Sequence, residues 1–422
     1  MKQLKRFALA GAVALVLGAC SDNTPKQVSI GTGNIELNAP ANVASMTVKS
    51  GTYTFTDVTT GAVTEIGYPL PADASVAEGL YNVKFEGEAE VLVDLTKADE
   101  VAATPVTVRM QGVQNNVVVK GDGSFKLTLL LSVVPEASDD FVISEIYYVG
   151  SAYPADASGK QKQYNGDAYV KITNNSDQVL YADGLVLCES EFQTSTKRDG
   201  LNPDIRSSAV SVDCVMAIPG SGTDHPVQPG ESIVLCDNAQ NHKEADPSFM
   251  DLSRADFEWF TNSTLAAYPD VDNPAVPNLD IYYCYTATIF VLHKQGCKGY
   301  ALARLPQGVT REKWLGEYTY TYNYTLITGK PSRNIVCYKI PNEWVVDAVE
   351  FRGYKYEFAW PVFDPSFDIS YTYCGDLNAG RVDYGTAVRR KTAYVAEDGR
   401  RVLQDTNNSA EDFERNVTPS MK

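Results

Sequence analysis

Histidine is nearly absent: three residues in 422, at positions 225, 242 and 293. Acid–base and nucleophilic catalysis draw most often on a poised imidazole, so the chain is thinly supplied with catalytic parts. Helix-favouring runs of Ala, Leu, Glu and Lys are scarce while Val, Thr and Tyr are plentiful, which predicts mostly β structure. Positive charge also falls short, with 36 Lys and Arg against 53 Asp and Glu for a formal net charge of −17. A chain this acidic, with no basic stripe, repels phosphate and is not expected to bind nucleic acid.

What is present begins with an address. Lys2, Lys5 and Arg6 precede the apolar run 7–17, which is too short to cross a bilayer as a stable helix. Leu17-Gly18-Ala19-Cys20 resembles a bacterial lipobox, which implies cleavage before Cys20 and lipidation of its thiol. Several acyl chains would hold the protein stably on a membrane without spanning it. Cleavage removes three cations and takes the formal charge from −17 to −20. Residues 1–19 are thus read as a lipoprotein signal peptide and 20–27 as a polar tether. Asp22 resembles the acidic start of surface-export signals in Bacteroidota lipoproteins. The expected location is the cell envelope, as an outer-membrane lipoprotein displayed on the surface. Seven cysteines remain, at 188, 214, 236, 284, 297, 337 and 374. An oxidising envelope favours disulfides, yet several of these cysteines lie in apolar strand-like runs where a buried thiol packs well. The pairing stays open.

Residues 28–136 read as one small β-domain. Strand patterns in SMTVKSG, TYTFTDVTTG, GLYNVKFEG, AEVLVDL, PVTVRMQG, NNVVVKG and FKLTLLLSVV alternate with turn signals at sandwich-like spacing. Gly79, Tyr81 and Val83 form a G-x-Y-x-V strand that resembles prealbumin-like and carboxypeptidase-regulatory-like domains, implying an immunoglobulin-like or prealbumin-like spacer. The charged PEASDD breaks the pattern, and 137–422 is a second domain. In AYVKIT, Ala168, Val170 and Ile172 share one face and Tyr169, Lys171 and Thr173 the other, as in a half-buried strand. In GESIVLCD both faces are apolar, which predicts a central strand. Leu252, Ala255 and Trp259 lie at helical spacing and predict a short helix within 247–267, while 268–280 is too Pro-rich for regular structure.

VISEIYY, GDAYVKITNNSDQVLYADGLVL, VQPGESIVLCDNA, GYALARLP and EWVVDAVEFRG together resemble the lamin-tail family, an immunoglobulin-like β-sandwich. The arrangement also resembles an uncharacterised Bacteroidota lipoprotein family that joins a small β-domain to a lamin-tail-like one. That resemblance implies an N-terminal immunoglobulin- or prealbumin-like sandwich followed by a lamin-tail-like β-sandwich with long insertions. It brings no activity with it.

Candidate sites are few. Ser221, Asp224 and His225 crowd into one loop and read better as a turn than as a triad. Glu145 in VISEIYY reads as a hydrogen-bonded strand carboxylate. Cys236 with His242 and His293 with Cys297 could supply four ligands to zinc, although their spacing matches no compact motif. Asp270, Asp272, Asn273 and Asp280 offer oxygens for calcium but lack EF-hand spacing. Tyr318, Tyr320, Tyr322 and Tyr324 fall on one face of a strand, where they could bind sugar rings or a protein or could pack as a ladder. The same two readings apply to Tyr354, Tyr356, Phe358, Trp360 and Phe363. No cofactor is implied. The expected role is non-enzymatic binding or scaffolding at the cell surface, with a protein or glycan as partner. Two alternatives are a nutrient-acquisition lipoprotein taking a glycan or iron complex beside an outer-membrane transporter, and a metal-dependent enzyme.

Overall fold

A computed structural model describes residues 25–40, 43–93, 106–134, 138–266, 268–286 and 288–421. The signal segment, Cys20 and most of the tether lie outside the described residues, as do residues 135–137 of the PEASDD junction. The chain is mostly β, with 43% strand and 5% helix in several sheets and no barrel. Among the described residues no helix is long and apolar enough to cross a membrane.

Three hydrophobic cores organise the chain. The first uses side chains from Val28 to Leu131 only. Its five-stranded sheet is built on three long antiparallel strands, Val43–Asp57, Gly79–Val93 and Val106–Val119, flanked by Val63–Tyr68 and Ser132–Val133. The sequence patterns divide each long strand in two near a glycine. The glycines instead lie mid-strand: Gly51 pairs with Gly87, and a Cβ on Gly87 would fall 2.1 Å from the Ser50 carbonyl oxygen. Glycine here permits two backbones to approach closely and does not mark a turn. Tyr81 and Val83 of the G-x-Y-x-V strand are buried in this core.

From Phe141 onward there are two large sheets. One has six strands in the order Phe257–Glu258, Ser232–Cys236, Tyr169–Asn174, Phe141–Tyr147, Ala387–Arg390 and Phe413–Val417. The other has seven. Its main path runs Thr319–Tyr322, Ile335–Pro341, Ala209–Ala217, Leu185–Ser190, Gly299–Arg304 and Val345–Glu350, and Asp280–Cys284 shares Ala209–Ala217 with Ile335–Pro341. Period-2 alternation divides the second sheet's residues between two cores. Leu185, Leu187, Cys214, Met216, Tyr300 and Leu302 join Phe141, Ile143, Val170 and Leu235 of the six-stranded sheet in one. Val186, Cys188, Val215, Ala301 and Ala303 face the other, which Trp314, Trp344 and Trp360 help to fill.

Ser232–Cys236 has strands on both sides, as its two apolar faces predict. Tyr169–Asn174 departs from the half-buried expectation: Tyr169 and Thr173 are buried too. The C-terminus lies against that face, with the Met421 N–H donating to the Tyr169 hydroxyl at 3.0 Å and the Ser420 N–H to Glu145 at 2.8 Å. The helix expected within 247–267 does not form. Leu252, Ala255 and Trp259 are buried, but local bonds fold the segment irregularly: Asp251 accepts the Ser253 N–H at 3.1 Å, and Asp256 accepts the Val234 N–H at 2.8 Å. Helical spacing there reflects burial from several directions. Residues 268–280 carry the two-residue strand Tyr268–Pro269 and an isolated bridge from Asn278 to Glu258 before Asp280–Cys284 begins.

Candidate functional site

The strand ends of both large sheets and the loops inserted between them enclose two adjoining cavities, of about 690 and 470 Å³. Gln163, Tyr268, Ile289, Phe290 and Val291 line both, so the two form one cleft. Three of those shared residues come from the loop that follows Asp280–Cys284. Glu258 fixes the neighbouring loops from below, its buried carboxylate accepting the Ala239 N–H at 2.8 Å and the Asn273 N–H at 2.7 Å. Asp167 does the same for Ser151, accepting its N–H at 3.0 Å.

The floor of the larger cavity is charged. Lys298 donates to Asp213 and to the Ser190 and Glu191 carbonyls, and its Nζ lies 3.8 Å from Glu189. The Tyr300 hydroxyl donates to Glu189 at 2.7 Å and accepts the His293 N–H at 2.7 Å. Burial pushes both Asp213 and Glu189 above the usual carboxylate range, with Lys298 opposing the rise. Burial alone would lower Lys298, but the two carboxylates outweigh it and hold the ammonium charged. In the smaller cavity burial and nearby carboxylates push Asp237 well up.

The buried oxygens Asn165 Oδ1, Asp213 Oδ1 and Asp270 Oδ1 have no partner, and all three residues line the cavities. Aromatic surface surrounds them: Tyr268, Tyr285, Tyr354 and Tyr384 line the larger cavity, Tyr153 and Tyr164 the smaller. Lys294 lies over the Tyr268 ring at 4.5 Å. The arrangement suits a ligand with flat apolar faces and polar edges.

The residues named from sequence are placed otherwise. Cys236 is buried within the six-stranded sheet. His242 lines the smaller cavity, but its Nδ1 is 2.8 Å from the Tyr164 hydroxyl and its Nε2 is 2.9 Å from the Asn238 carbonyl oxygen. His293 lines the larger cavity, accepts the Cys297 N–H at 3.1 Å, and is held neutral by burial and Lys298, its pKa lowered to about 4. The four do not converge, and among the described residues no three His, Cys, Asp or Glu are grouped to hold a metal. Both ring nitrogens of His242 and the Nδ1 of His293 are already used within the fold. Asp270 accepts from Thr261, Asp272 from Asn278, and Asn273 donates to the Ala239 carbonyl, so the acidic loop's polar groups serve its own shape.

The tyrosine row faces inward. Tyr322 is buried with its hydroxyl on Glu191 at 2.8 Å, Tyr320 bonds Ser211 at 2.6 Å, Tyr318 packs on Trp344, and Tyr324 lies beneath Arg198. Trp360 is buried, donating to the Gln193 carbonyl at 2.9 Å, while Tyr356 is 43% exposed outside the cleft. Ser221 donates to Asp224, and the His225 ring packs on Phe257, which makes that loop a turn. Glu145 accepts from Tyr169, Ser420 and Arg389; burial would raise it, but these bonds hold it below its ordinary value. Sequence reasoning missed Glu189, Asp213 and Lys298. SVDCVMA and LVLCES each carry an acid inside an apolar strand, a signal for Asp213 and Glu189 singly that leaves Lys298 and their meeting unmarked.

No curated protein matches the chain. Residues 228–420, which include Asp237, Tyr268, Lys298 and Tyr354, match the model of a family described as a protein of unknown function (DUF4876). Over 94% of its length the chain is similar to the crystal structure of a DUF4876 family protein from Bacteroides thetaiotaomicron, at 23% identity, a TM-score of 0.54 and 96% coverage of that protein, a likeness of fold.

Proposed function

We propose that this protein is a lipoprotein anchored in the cell envelope through Cys20 that binds a hydroxyl-rich ligand, such as a short glycan, without transforming it. In this reading the two large sheets form a lamin-tail-like sandwich sharing one core, and the preceding sheet is an immunoglobulin- or prealbumin-like spacer that holds the cleft away from the membrane. The observation that carries the reading is the row of tyrosines lining the cleft, Tyr268, Tyr285, Tyr354 and Tyr384, interleaved with the polar side chains of Gln163, Gln193 and Gln295. Ligand hydroxyls pair with those polar side chains, and sugar faces stack on the rings. Binding is favoured over catalysis because Lys298, His242 and His293 are already engaged within the fold. A ligand collected this way could be passed to an outer-membrane transporter.

Thermal unfolding of the mature protein against neutral, amino and acidic oligosaccharides tests this. A neutral or amino sugar present at ~100 times its Kd should add about 2.7 kcal/mol of stability. Tyr268→Ala and Tyr354→Ala should each abolish most of that gain. Stabilisation indifferent to both substitutions, or turnover of the ligand, would refute the proposal.

A further inference from the structure

We infer that Cys214 and Cys284 form a disulfide across neighbouring strands, which pins one wall of the cleft. The seven described cysteines are all buried, so burial singles out no pair. Position does. Cys214 on Ala209–Ala217 is directly opposite Cys284 on Asp280–Cys284, and no other two of the seven oppose each other in the described ladders.

The hydrogen-bond pattern fixes the kind of site. The Tyr285 N–H donates to the Asp213 carbonyl at 2.9 Å, which makes Asp213 and Tyr285 a hydrogen-bonded pair. Cys214 and Cys284 therefore occupy the adjacent non-hydrogen-bonded position, where Cα atoms approach to about 4.5 Å and side chains are closest. That lies at the short end of the Cα range a disulfide spans, about 4.4–6.8 Å. Both residues belong to the core between the two large sheets, where the Cys284 thiol donates to the Ile289 carbonyl at 3.4 Å, a bond the disulfide would replace.

Oxidation removes one electron and one proton from each thiol and forms one S–S bond. The acceptor is a disulfide of a thiol–disulfide exchange partner, which leaves as a dithiol. Burial pushes the Cys214 thiol well up, so thiolate is scarce in the folded chain and exchange belongs to folding, before the strands close. Cys284 leads directly into Tyr285, Thr286, Ile289, Phe290 and Val291 of the cleft wall. Holding that strand covalently would set where the wall starts, whichever ligand the cleft takes.

The full-length protein, reduced in denaturant, is refolded with oxidised glutathione, alkylated in denaturant and mapped by mass spectrometry. A peptide linking Cys214 to Cys284 is expected, absent from Cys214→Ser and Cys284→Ser, with the other cysteines of the folded chain alkylated. Alkylation of both residues in the refolded protein, or a bridge from either to a different cysteine, overturns the inference. If the serine variants fail to fold, the map of the unsubstituted protein decides the matter by itself.

Discussion

Glu350 is a carboxyl group buried with too few partners. Its Oε1 accepts the Val362 and Phe363 N–H groups at 2.8 Å each, while its Oε2 has none. Burial, reinforced by the neighbouring Asp368, pushes it well above the ordinary carboxylate range. Asp368 accepts from Glu350, Ser370 and Ser409, and burial still raises it to about 7. With four donors on Asp368 and an orphaned oxygen on Glu350, Glu350 is the one that stays protonated. The sign follows from linkage. Between the ordinary carboxylate range and the raised values the unfolded chain has released protons that the folded chain keeps, so stability is full in acid and falls as pH rises through about 7. The thermal midpoint should therefore decline between about pH 5 and pH 8. Glu350→Gln, which fixes the neutral shape, should flatten that decline.

At the scale of elements, the strand Thr319–Tyr322 and its tyrosines belong to a core. Tyr322→Ala removes a buried ring and should cost about 3–5 kcal/mol, whereas Tyr322→Phe loses only the bond to the half-buried Glu191, about 1 kcal/mol. Denaturant unfolding measures both, and ligand binding by the folded fraction should be unchanged. Alternation made this strand legible in the sequence, but alternation cannot say what covers a face. Trp344 and Arg198, close to Tyr318 and Tyr324 in space, come from distant parts of the chain. The same limit explains Tyr169, whose outer face is closed by residues 420 and 421. Strands with local period, such as Ser232–Cys236, were readable. The cleft was not, because Asp213, Glu189 and Lys298 meet only through the seven-stranded sheet's register.

Across the whole molecule the first core is separate from the other two, which share the seven-stranded sheet. Polar contacts between the first sheet and later residues include Lys84 with Glu411 at 2.7 Å and Gln111 with the Thr406 carbonyl. An exposed ion pair of that kind is worth at most about 1 kcal/mol. Arg390, in contrast, is fully buried and bonds Asp347 at 2.7 Å, Asp405 at 3.0 Å and the Ile143 carbonyl at 3.0 Å, tying the two large sheets together. Arg390→Leu leaves buried carboxylates unpaired and should cost about 3–5 kcal/mol. Calorimetry should resolve two transitions, with this substitution lowering only the one that belongs to the two large sheets.

The order of the six-stranded sheet also sets a timetable. Phe141–Tyr147 takes as one neighbour Ala387–Arg390, and its Glu145 is bonded to Arg389, 244 residues further on. That sheet cannot close until residues 387–417 have been delivered, and its opening strand must wait with one edge bare. Residues 141–386 are therefore made without that neighbour, and closure of the sheet follows delivery of residues 387–417.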